Sequence, residues 1–135
     1  MAKNNDLEER LIQFAILIIE IADGLPKYGA GLILSGQMIR SSTSSALNYG
    51  EAQAAESPRD FLHKLKVVLK ELRETYINLR IVNGRKLFKE QVKLDMALQE
   101  NNELISIFTA SILTAKKNMS PLNKRPGRRK IIEQG

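Results

Sequence analysis

Apolar residues in this chain recur at alternating intervals of four and three, segment after segment, and nowhere alternate at two between turn residues. That rhythm is the one-sided face of a helix and leaves no sheet to build. Leu7, Leu11, Phe14, Ile18 and Ile21 form the first stripe. Asp6 with Glu9 three residues on gives a capping-box-like start. Asp23-Gly24-Leu25-Pro26 stops the helix, with Gly24 at the position after its last residue. The spacing predicts a helix over about 6–23.

A second helix is predicted over about 28–56. Its start carries Gly29 and Gly31, and its middle, Arg40 to Ala46, is rich in serine and poor in helix propensity. Small residues there permit close approach to a neighbouring backbone. Ser57-Pro58 places a capping serine before a proline at the first helical position. The third helix, about 58–83, carries Phe61, Leu65, Val68, Leu72, Thr75 and Leu79, widened by Leu62, Leu69 and Tyr76, and ends at Asn83-Gly84. The fourth, about 87–118, carries Leu94, Leu98, Ile105, Phe108, Ile112, Ala115 and Met119. Four such helices with short connections predict an all-α, antiparallel up-down bundle. Its wide apolar faces predict self-association into a homo-oligomer.

The 135 residues (15.2 kDa) fit one domain, residues 1–119, followed by a basic tail, residues 120–135. The net charge of +6 is unevenly placed. Residues 116–135 hold seven basic groups against Glu133 alone, while residues 1–115 hold fourteen of each sign. A short basic run reads either as a polyanion contact or as a solubilising end. No cysteine is present, which excludes a disulfide framework, a thiolate metal site and a thiol nucleophile. The apolar run Leu11–Ala22 is too short for a membrane span and is interrupted by Gln13 and Glu20, so no membrane contact and a cytoplasmic location are expected.

Two polar constellations stand out. Arg40, Ser44, Asn48 and Glu51, with Ser41 beside them, line one face of the second helix at spacings of four, four and three. This face reads as a binding cluster or as a buried or interfacial polar network, with Glu71 or Glu74 of the third helix as partner to Arg40. On the third helix Arg59, His63, Lys66, Lys70, Arg73 and Arg80 line the face opposite Leu65 and Leu72, with Ile77 interrupting. This stripe is either an ordinary solvated face or a polyanion contact. Residues 57–95 carry ten basic and five acidic groups, so one sign dominates. Copies in a ring would repeat the stripe as a basic belt, whose contact with phosphates would be sequence-independent and salt-sensitive.

Catalysis finds little support. The lone histidine, His63, sits on the basic face, and Asp60-Phe61-Leu62-His63 is a single outward acid-x-x-His motif where di-iron bundles need two. No metal or cofactor is expected, and Gly29, Gly31 and Gly36 match no phosphate-binding loop. With few exposed aromatics, stacking on single-stranded bases is not expected as the main mode.

The segment Gln37 to Ala52, with Arg40-Ser41, Ser44, Asn48 and Glu51 in register, resembles the signature of the 23S rRNA intervening-sequence protein family. Arg10, Phe14-Ala15, Leu25-Pro26, Ser57 to Phe61 and the run Leu69 to Thr75 extend the resemblance over about 7–118, while Ser45, Tyr49 and Gly50 depart from it. The resemblance implies a four-helix bundle assembled into a ring, typically a homopentamer, with no established enzymatic activity. A related branch, the accessory protein of diversity-generating retroelements, binds nucleic acid and a reverse transcriptase. The expected function is therefore a non-enzymatic assembly that binds RNA or DNA backbone through the third-helix stripe and through Lys124, Arg125, Arg128, Arg129 and Lys130 of the tail. The alternative is a protein-interaction scaffold with no nucleic-acid role.

Overall fold

The computed structural model describes residues 3–119, with side chains from Asp6 onward. Four helices follow one another: α1 (Lys3–Asp23), α2 (Gly29–Gln53), α3 (Pro58–Gly84) and α4 (Gln91–Met119), with no strand among the described residues. Ser35 on α2 meets Ala22 on α1, Arg40 and Glu51 on α2 meet Glu74 and Lys64 on α3, and Asn101 on α4 meets Leu72 on α3. Between α2 and α3, and between α3 and α4 where Gln91 also bonds to Asn83, numbers rise on one partner as they fall on the other, so these helices are antiparallel. Arg10 with Glu100 and Glu20 with Lys93 close the bundle between α1 and α4, the pair of neighbouring helices whose backbones approach least.

The core forms where the stripes predict it on α1 and α3, except that Phe61, the first residue of the α3 stripe, stays exposed. Leu11, Phe14, Ile18, Ile21, Leu65, Val68, Leu72 and Leu79 are all fully buried. Each such side chain stabilises the fold by about 1.5–3 kcal/mol. On α4 the stripe lies partly elsewhere. Leu94, Phe108 and Ile112 are buried as predicted, but Ala97, Asn101 and Leu104 are buried between them, while Leu98 and Ile105 only flank the core. The Asn101 amide donates to the Leu72 carbonyl at 3.0 Å, and its buried Oδ1 has no partner among the described residues. An asparagine at a core position hides from an apolar-periodicity argument.

The serine-rich stretch is fully helical. Ser41, Ser42 and Ser45 are completely buried. Their hydroxyls are satisfied close by: Ser45 Oγ reaches the Ser42 carbonyl at 2.7 Å, and Ser41 Oγ meets Thr75 Oγ1 on α3 at 2.6 Å. Short side chains that bond locally let α2 and α3 pack closely, which outweighs weak propensity. Gly31 allows a similarly close approach at the start of α2. A Cβ there would lie 2.8 Å from Pro26 Cδ, so only glycine lets the first turn of α2 pass beneath the α1–α2 connection.

Helix ends differ from expectation for local reasons. α1 already runs at Lys3, so Asp6 sits in its first turn and complements the positive end of the helix rather than capping it. Gly24 follows α1 without left-handed backbone; a Cβ on it would come within 2.7 Å of the Phe88 ring. α2 stops at Gln53 rather than 56, because Ser57 is extended (φ −148°, ψ 157°) before Pro58. Ser57 Oγ accepts from the Asp60 N–H at 3.0 Å, the cap its sequence predicts. α4 begins at Gln91, not 87. Lys86 turns left-handed (φ 54°), the Leu87 N–H reaches the Val82 carbonyl at 3.1 Å and the Lys86 N–H reaches Asn83 at 3.2 Å. This is a Schellman turn with lysine in the place usually held by glycine. It aims Leu87 and Phe88 at the core.

Candidate nucleic-acid interface

Because Leu65, Val68, Leu72 and Leu79 point inward, the opposite positions of α3 point out. Arg59, His63, Lys66, Lys70, Arg73 and Arg80 all lie on that outer side. Off this face several cations of the bundle are engaged, though Lys116 on α4 is unpaired among the described residues. Arg10 is bidentate on Glu100 (2.7 and 2.9 Å) and also reaches Glu103; Lys64 holds Glu51 at 2.7 Å; Lys93 holds Glu20 at 3.5 Å. On the α3 stripe only Lys70 has a partner, Glu74 at 3.6 Å. Arg59, His63, Lys66, Arg73 and Arg80 make no hydrogen bond or ion pair among the described residues. Arg85, Lys86 and Lys89 continue the unpaired cations past Arg80. Helical spacing could not place those three, since they lie on the α3–α4 connection.

The second polar constellation is not one network. Arg40 reaches Glu71 at 3.2 Å and Glu74 at 2.7 Å, the two partners its position on α2 suggested. Ser44 and Asn48 bond to each other at 3.0 Å. Glu51 turns to Lys64. Ser41 faces inward to Thr75. The expectation of a buried network is corrected in one respect: the Arg40 side chain is 58% exposed and Glu51 is equally open, and Glu71 is the buried member. The α2–α3 seam has a deep carboxylate, Glu71, clamped from outside by an arginine.

Charge states follow these contacts. The Glu74 and Glu71 carboxylates hold the Arg40 guanidinium protonated even more firmly than usual. Partial burial pushes Glu74 up, but the hydrogen bond from Arg40 and the charge of Lys70 outweigh it and leave Glu74 below the ordinary carboxylate range. Glu100, and after it Glu103, raise Arg10 in the same way.

Gln37 and Arg40 of α2 and Lys70, Arg73, Glu74, Ile77 and Asn78 of α3 line an open groove of about 770 Å³. It joins the exposed polar face of α2 to the basic stripe of α3. Gln37, Ile77 and Asn78 escaped the sequence reading: Ile77 read as an interruption, and the amides carry no charge. Lys124, Arg125, Arg128, Arg129 and Lys130 lie outside the described residues. Among the described residues no group of three His, Cys, Asp or Glu side chains gathers to hold a metal, and no helix is long and apolar enough to cross a membrane.

Fold and surface together define an antiparallel four-helix bundle with one single-signed face. A family model described as 23S rRNA-intervening sequence protein matches residues 3–110. The chain belongs to that family. Among solved structures it is similar to a protein of unknown function from the S23 ribosomal protein family of Bacteroides thetaiotaomicron, with 26% identity and a TM-score of 0.71 over 78% of this chain and 96% of that one. No curated protein matches it.

Proposed function

We propose that this chain is a non-enzymatic, cytoplasmic, homo-oligomeric bundle, five copies in a ring, that binds the phosphate backbone of RNA or DNA through α3 and the basic residues beyond it. The observation that carries this reading is the α3 stripe, where among the described residues four of five cations, Arg59, Lys66, Arg73 and Arg80, are unpaired on the outer side, while Arg10, Lys64 and Lys93 on other faces are engaged. Phosphates can replace water around such groups without breaking an internal pair. Membership of a family described by ribosomal RNA insertions supports a nucleic-acid partner. A ring would set five stripes side by side, and weak contacts would add through avidity.

Fluorescence anisotropy with labelled RNA and DNA, titrated with salt, tests this. Micromolar binding at low salt that falls steeply as salt rises is expected. Alanine at Lys66, Lys70 and Arg73 together, and truncation after Met119, should each weaken binding and flatten the salt dependence. Binding that survives both changes together overturns the site. A second reading, a scaffold for a protein partner, draws on the exposed apolar side chains Ile12 and Ile16 of α1 and Met96 of α4. Capture of one specific protein that survives nuclease treatment would favour it.

A further inference from the structure

A phosphate backbone asks only for cations, and the α2–α3 groove supplies more than that. It adds two carboxamides, Gln37 and Asn78, and an aliphatic wall, Ile77, which is half exposed. Asn78 is only 9% exposed, yet its side-chain amide makes no hydrogen bond among the described residues. The amide is not sealed from solvent, so a ligand lying in the groove can offer it a donor and an acceptor side by side. The charges around it are already sorted. Glu74 is engaged by Arg40 at 2.7 Å and by Lys70 at 3.6 Å, and Glu71 by Arg40. Arg73 is left with its guanidinium free on the same groove.

We propose that this groove is a nucleotide pocket that takes one unpaired nucleotide of a bound strand. Its phosphate would meet Arg73 and Lys70, its base would lie over Ile77, and the hydrogen-bonding edge of the base would meet Asn78 and Gln37. A base edge presents adjacent donors and acceptors, which a carboxamide matches. The groove's size falls within the range of about 300–1,000 Å³ usual for small-ligand sites. In a duplex those base edges are already paired, so the pocket selects single strands and loops. No aromatic residue lines it, so selectivity comes from the amides and not from stacking. This inference rests on the reading of α3 as a nucleic-acid face.

The test compares a labelled single strand with a duplex of equal length, on the full chain at one salt concentration. The strand should bind about tenfold more tightly. Asn78→Leu should bring the strand to the duplex's affinity and leave duplex binding unchanged. Gln37→Leu, at an exposed position that does not threaten folding, should shift binding the same way. Uridine or adenosine 5′-monophosphate should compete with the strand and not with the duplex. Equal binding of strand and duplex, indifferent to both amide variants but weakened by Lys66→Ala and Arg59→Ala, overturns the pocket and leaves the backbone reading standing. No binding of either nucleic acid overturns both. If Ile77→Asp splits the assembly and leaves strand binding intact, the groove belongs to a second copy of the chain and the pocket falls.

Discussion

Arg40 clamps two carboxylates of unequal depth, and its removal should be felt mainly by the deeper one. Arg40→Ala strands the buried Glu71, and we expect unfolding free energy in urea to fall by about 1–3 kcal/mol. Adding Glu71→Gln should restore part of that loss; no restoration would mean that the clamp acts through Glu74 alone. Glu74 gives the pH signature. Its folded pKa lies below its unfolded value of about 4.3, so its stabilising effect is complete above that value and is lost as pH falls through the folded one. Melting temperature should hold from about pH 5 to 7 and drop below about pH 4, with a shallower drop in Arg40→Ala. At this scale much was legible. Arg40 and its partners follow from the antiparallel register of α2 and α3. Asn78 was not legible, because it lies on the flank of α3 between the apolar and basic stripes, where burial depends on how close α2 comes.

Among the elements, punctuation read more clearly than interior composition. Ser57-Pro58 announced its cap, since a serine before proline has few other uses. The serine run of α2 gave no such sign, because its helicity comes from packing against Thr75 and not from propensity. The start of α4 was misread because Leu87 and Phe88 are apolar residues that continue a helical rhythm while serving as plugs for the α3–α4 turn. That turn holds Lys86 at a positive φ, a conformation that burdens side chains with a Cβ by about 1–2 kcal/mol. Lys86→Gly should therefore stabilise the bundle by about 0.5–1 kcal/mol in thermal or urea unfolding. A loss of stability instead would mean that the lysine side chain itself supports the turn.

For the whole molecule, the charge of +6 separates into a neutral body and a basic end, yet the body is itself polarised, with most of the unpaired cations among the described residues on α3 and the α3–α4 connection. If five copies assemble as proposed, light scattering should give about 76 kDa, five times the 15.2 kDa chain. A mass of one chain would remove the avidity argument and leave each stripe to bind alone. Assembly was not legible in one copy's pattern, since Ile12, Ile16 and Met96 are spaced like any helix flank. The seam between α1 and α4 carries a different lesson. It is bridged by Arg10 on Glu100 and Glu103 and by Lys93 on Glu20 without the close backbone packing that accompanies the ion pairs of the α2–α3 seam. Dissolved electrolyte therefore works on two regions of the molecule at once: as it thickens, it loosens the grip of α3 on a polyanion and slackens the latch between α1 and α4, leaving α1 held by α2 and α4 by α3.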